Sequence, residues 1–139
     1  MAYWLMKSEP GAWSWEQQVK AGAKGTEWSG VRNHTAKLNM MKMKKGDRAF
    51  FYHTGAEKRI VGVCEITREA YPDKTDPTGK FVMVDVKPVQ KAPTPVTLHE
   101  IKADKQFADF LLVRQARLSV MPVPPGHWKT ICQRAGLDA

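Results

Sequence analysis

Apolar and polar positions alternate in short runs along most of the chain, and helical spacing is confined to a few windows. Tyr3-Trp4-Leu5-Met6-Lys7, rich in aromatic residues and stopped by Pro10, predicts a first strand. Ser14-Trp15-Glu16-Gln17 fits a capping box, which predicts a short helix to about Ala21, ended by Gly22 and Gly25. From Asn33 to Lys44 a second helix is expected, with Ala36, Met40 and Met43 on one face and Lys37, Lys44 and Lys45 toward solvent. Arg48 to His53 and Arg59 to Ile66 are β-rich runs around Thr54-Gly55-Ala56 and read as an antiparallel pair. Strict alternation lets only two of Phe50, Phe51, Tyr52 and His53 face a core. Gly62, inside the second run, marks a close backbone approach or a bulge.

Farther along, Tyr71 to Gly79 is dense in turn formers and reads as a surface loop, followed by a strand from Phe81 to Val89 whose Pro88 places its end at an edge or a bulge. Thr97-Leu98-His99-Glu100 is a second capping box, and Phe107 to Leu112 reads as weakly helical. Leu118 to Val123 gives the last strand. Pro125 then opens a C-terminal helix with Trp128, Ile131 and Cys132 on one face, ended by Gly136. Short strands with helices between them and little βαβ alternation predict an α+β fold: one domain over residues 1–139, built on a small barrel-like sheet of five to six mostly antiparallel strands.

Charge narrows the partners. A formal charge of +8 and a pI of about 9.6 set up a field that favours polyanions, with nucleic acid and anionic membrane as candidates. No run of about 18 apolar residues occurs and the start lacks the pattern of a signal peptide, which favours nucleic acid over membrane and a cytoplasmic location, or a nuclear one in a eukaryotic source. Cys64 and Cys132 lack the paired spacing of a zinc or redox site and are expected as small core residues. No metal and no cofactor is implied.

Two segments concentrate polar and aromatic groups. Lys7, Ser8 and Glu9 offer a cation, a hydroxyl and a carboxylate at a strand end, either as a rigid platform for a ligand or as a solvated turn. Trp28-Ser29-Gly30-Val31-Arg32-Asn33 joins a flat ring, a permissive glycine, a guanidinium and an amide. The ring can stack on a base, Asn33 can bond a base edge and Arg32 can bind a phosphate; alternatively Trp28 is core and Asn33 caps the next helix. His53 is a candidate hydrogen-bond partner in the same pocket, and Arg114, Arg117 and Ser119 are phosphate contacts or a solvated face. Catalytic signatures are missing: there is no G-x-S-x-G, H-E-x-x-H or phosphate loop, and the histidines show no ligand spacing. The enzymatic alternative, acting on modified nucleotides or RNA, rests on Lys7, Ser8, Glu9 and His53; a third reading is RNA binding without base selectivity.

Tyr3 to Pro10, Trp28 to Asn33, Gly46-Asp47 with Phe51-Tyr52-His53, Ile60 to Val63, Glu69 to Asp73 and Arg117 to Val123 together closely resemble the EVE domain family, block by block and in order over nearly the whole chain. The resemblance implies a PUA-like fold related to YTH, PUA and ASCH domains. By likeness to YTH domains, Ser8, Trp28, Val31, Asn33 and Asn39 would line a base pocket, with Lys7, Arg32, Arg117 and Ser119 near its mouth. The resemblance further implies a reader of modified bases, with modified cytosine in DNA the leading candidate and RNA also open.

Overall fold

The computed structural model describes residues 1–138. Strands β1 (Tyr3–Ser8), β2 (Thr26–Trp28), β3 (Arg48–His53), β4 (Arg59–Pro72), β5 (Val82–Thr97) and β6 (Val120–Pro122) form one six-stranded sheet in the order β2-β5-β4-β3-β1-β6. Pairing is antiparallel throughout except between β1 and β3, which run parallel from Tyr3 opposite Arg48 to Ser8 opposite His53. Around the sheet lie α1 (Trp15–Ala21), α2 (His34–Lys42), α3 (Leu98–Lys102), α4 (Leu111–Arg114) and α5 (Pro125–Ala135).

Three of the helices, α1, α2 and α3, begin where side chains satisfy their orphaned amides. Both capping boxes form: Ser14 with Gln17 at α1 and Thr97 with Glu100 at α3. Asn33 caps α2 by accepting from the Ala36 N–H at 2.9 Å, and Gly136 closes α5 in the left-handed conformation. Phe107 to Leu112 contributes only the end of a single 3₁₀ turn at Lys105–Phe107 and the start of the four-residue α4.

β4 and β5 are much longer than their apolar patterns suggest, at 14 and 16 residues. Tyr71 and Pro72, expected in a loop, continue β4 because Met83 and Val82 pair with them. Four register shifts punctuate this pair, and each adds bend and twist, so the long ribbon curls into a half-barrel. Pro88 sits at one of these shifts, past the short stretch that β2 covers, and Pro93 and Pro95 follow on the same uncovered edge.

The sheet is covered on both faces, which overrides the alternation expected for β3. Phe50 stacks on Trp128 of α5 with ring centroids 3.9 Å apart, while Phe51 meets Trp15 and Trp28 edge-on at 5.4 and 5.3 Å. Tyr52 and His53 are buried as well. Cys64 and Cys132 are free and buried, and burial raises both thiol pKa values, Cys132 to about 11.

Gly62 explains how α1 reaches the sheet. A Cβ at this position would lie 2.6 Å from the Trp15 indole, so only hydrogen lets the ring lie on the strand. Gly62→Ala should destabilise the fold by about 1–3 kcal/mol through overpacking, read as a lower denaturation midpoint with unchanged slope. A stability equal to wild type would show that the indole relocates freely.

Candidate nucleic-acid interface

The ends of β1 and β2 and the approach to β6 surround an open cavity of about 700 Å³. β1 supplies Lys7 and Ser8 to its wall, the loop before α1 supplies Glu9 and Trp13, and β2 with the segment after it supplies Thr26 to Asn33, Glu27 included. Ser119 enters because the Lys7 N–H donates to its carbonyl at 2.8 Å, continuing the β1–β6 ladder by one bond.

Several of its polar groups are held in a defined orientation. The Ser8 hydroxyl donates to the Trp13 carbonyl, which leaves its lone pairs as acceptors. Trp13 is held at its other end, its indole N–H donating to Gln18 at 2.9 Å, and Gln18 is fully buried. The Lys7 ammonium donates to the Ala116 carbonyl at 2.9 Å and stands 5.7 Å from the centre of the Tyr52 ring; partial burial lowers its pKa. Asn33 commits its side-chain oxygen to α2 and keeps its amide NH₂ as a donor beside the cavity. Trp28 unites the two readings open to it: it is 7% exposed and packs on Phe51, yet it also forms part of the wall.

Asp73 holds the wall formed by residues 28–33. It is buried and accepts from the Gly30 N–H at 2.8 Å, from Arg32 at 3.0 Å, and from the amide and hydroxyl of Thr75 at 2.8 and 2.6 Å. Gly30 meets it at φ 83°, a conformation that favours glycine. Burial acts to raise the Asp73 pKa, but the bonds from Thr75, Gly30 and Arg32 outweigh it and bring the value down to about 2. The turn-rich segment is therefore a clamp, built on a carboxylate, and Asp76 closes its other half by accepting from Thr78 and Phe81.

The structure brings Lys7, Ser8, Trp28, Val31, Arg32, Asn33 and Ser119 together around the cavity. Three expected residues stand elsewhere. Asn39 is buried and donates to the Val120 carbonyl at 2.8 Å, tying α2 to β6. His53 accepts from the Trp15 N–H at 3.0 Å through Nε2 and meets Glu57 through Nδ1 at 2.9 Å, so its ring anchors the start of α1. Arg117 is exposed and outside the wall. Arg32 lies at the cavity, but its guanidinium is bound to Asp73 and Thr75, which makes it a staple for the wall more than a free phosphate arm. Ser8, Glu9 and His53 share no hydrogen bond: Glu9 accepts from Thr54 and Gly11. Sequence reasoning passed over Trp13 and Asp73. Trp13 stands one residue before a helix cap and looks like a staple, and Asp73 is surrounded by turn formers; only the contacts they make across the fold distinguish them.

A family model for the EVE domain matches residues 2–134. The chain belongs to the EVE domain family. Human thymocyte nuclear protein 1 is 34% identical to it over 88% of this chain and 68% of that protein. Among solved structures, a protein of Rhodopseudomonas palustris is 56% identical with a TM-score of 0.91, covering 98% of this chain and 94% of that one. The human THYN1 protein, solved in complex with 5-methylcytosine-containing DNA, is 30% identical with a TM-score of 0.89 over the full length of both chains. This EVE domain therefore has the PUA-like fold. The YTH domain of Zygosaccharomyces rouxii MRB1, solved with N6-methyladenosine RNA, shares that fold alone, at 19% identity and a TM-score of 0.56, covering 95% of this chain and 84% of that one.

Asp73→Ala should lower stability by about 1–3 kcal/mol, because it removes the charge-assisted bonds that the buried carboxylate accepts from Gly30, Arg32 and Thr75, and should increase hydrogen exchange at Gly30. The carboxylate is depressed from 3.8 to about 2 in the fold, so its contribution is complete above about pH 4 and is lost as pH falls toward 2. An acid titration followed by the Gly30 amide should show this step in the wild type and lack it in Asp73→Asn; an identical step in both would assign it to another carboxylate.

Proposed function

We propose that this EVE domain binds nucleic acid and takes a single modified base, flipped out or already unpaired, into the cavity between Trp13 and Trp28. The observation that carries the reading is the pairing of two indoles with oriented polar groups at one open cavity. Its volume of about 700 Å³ falls within the roughly 300–1,000 Å³ usual for small-ligand sites. An indole stacks on any base for about 1–3 kcal/mol, and the Ser8 lone pairs, the Asn33 amide and the Ser119 hydroxyl offer both acceptors and donors to a base edge. The wall is held in advance by Asp73 and Gln18, so little ordering is required on binding.

5-Methylcytosine in DNA is the first candidate, supported by the human THYN1 complex and by whole-chain similarity to it. The excess positive charge supports a polyanionic partner and supplies the salt-sensitive share of the affinity. Ser8 reads the base as an acceptor, Asn33 as a donor, and Lys7 stands ready for a phosphate or carbonyl oxygen near the mouth.

Matched oligonucleotides with and without 5-methylcytosine or N6-methyladenine test the proposal, as DNA and as RNA. The modified form of one should bind tighter, and equal affinity for all would sink the reading. Trp13→Ala should cost about 1–3 kcal/mol of that binding and also about 1–3 kcal/mol of stability, because it leaves the side-chain oxygen of fully buried Gln18 without its donor. Trp28→Ala should likewise lower both affinity and the unfolding midpoint, because the same ring supports the core.

A further inference from the structure

Beside the cavity lies a second surface with a different chemistry. Asn33, at the cavity, caps α2, and the helix then leads away from it. The inner face of α2 is filled by Ala36, Asn39 and Met40. On its outer face Leu38 is 44% exposed and Met41 54%. With His34 they stand at spacings of four and three, so the three side chains form a single stripe along the helix.

Basic residues flank the stripe. Lys37 lies to one side, its ammonium 6.0 Å from the Phe81 ring, Lys42 lies to the other, and Lys44 and Lys45 follow just past the helix end. α2 contains no acidic residue. A solvated helix face has no need of two large apolar side chains at its centre, and an apolar partner has no need of the surrounding lysines. Both are complementary to a polyanion that also exposes apolar surface. A duplex that has lost one base from its stack is such a partner, because it presents phosphates around the uncovered face of a neighbouring base pair.

We propose that the outer face of α2 holds the duplex flanking the extracted base, with Leu38 and Met41 covering the base-pair face left open and Lys37, Lys42 and Lys45 neutralising adjacent phosphates. The inference rests on the base-binding reading of the cavity and adds the surface that receives the rest of the duplex. A helical rise of 1.5 Å per residue puts Leu38 about 8 Å and Met41 about 12 Å along the axis from Asn33, which sets them back from the cavity toward the stack that a base turned out into it has left.

The test measures binding to a duplex with a central 5-methylcytosine, to its unmodified counterpart, and to a single strand with the same modification. Leu38→Ser combined with Met41→Ser should weaken the modified duplex roughly ten-fold while changing the single strand by less than about two-fold. Lys42→Glu combined with Lys45→Glu should weaken both duplexes and reduce the slope of log affinity against log salt by about 2. All four side chains are exposed, so these variants should unfold at the wild-type midpoint. A duplex-to-single-strand ratio unchanged by the serine pair overturns the inference. So does loss of binding to phosphatidylserine vesicles with duplex affinity intact, which would give the face to a membrane. If the wild type binds modified and unmodified DNA alike while the glutamate pair still weakens both duplexes, the base-binding reading falls and takes the role of Leu38 and Met41 with it, leaving only a phosphate contact at Lys42 and Lys45.

Discussion

The packing of Phe51 against two tryptophans is the contact on which the rest of this structure depends. Its ring takes Trp15 and Trp28 edge-on and His53 at 5.6 Å, so a single β3 side chain sets the height of α1, of β2 and of the cavity wall that Trp28 carries. Edge-to-face contacts of this kind are directional and contribute beyond their buried area. The bare backbone of Gly62 beside Phe51 completes the arrangement by letting Trp15 descend onto the sheet. The cavity is thus the outer surface of a core, and its shape follows from how that core is packed.

Above this base, polar contacts do the finer positioning. Asp73 reaches from the β4–β5 loop to the Gly30 amide and Arg32, and Gln18 reaches from α1 to Trp13. Both are buried groups with their hydrogen bonds satisfied, and such groups hold geometry well because breaking them would strand polar atoms away from water. The consequence for binding is a wall organised before a ligand arrives. It also explains why Arg32, a natural candidate for a phosphate contact, is better understood as part of the scaffold.

Membership of the EVE domain family accounts for the sheet order and the curl, but a shared fold does not transfer a ligand. What supports the proposal of a base site over a generic cleft is the local chemistry: two indoles, a hydroxyl with free lone pairs, an amide with free hydrogens, and a helix leaving the cavity with lysines on its outer side. The fold makes these neighbours by bringing together the ends of β1 and β2 and the residue before β6, while behind them β1 and β3 run parallel to a common end, where Ser8 stands opposite His53. That same parallel pairing turns His53 toward α1 and away from the cavity.

Much of the secondary structure was legible in the chain itself, because its signals are local. The two capping boxes, the Asn33 cap and the glycine that ends α5 each depend on residues within a few positions, whose stereochemistry admits little else, and Gly62 and Pro88 mark an irregularity by their own residue type although their partners, Trp15 and β4, lie far along the chain. The segments Lys7 to Glu9 and Trp28 to Asn33 were legible as chemistry for the same reason. Tertiary structure decided everything that depends on which surfaces meet. It buried four consecutive β3 residues by covering both faces of the sheet, extended β4 through Tyr71 and Pro72, turned a solvated-looking aspartate into a clamp, sent Asn39 and His53 to structural posts, and recruited Trp13 to the cavity. Residue type and spacing specify what a side chain can do within a turn of its neighbours; its partner across 40 residues of chain is set only when the sheet closes and burial obliges every polar group to find one.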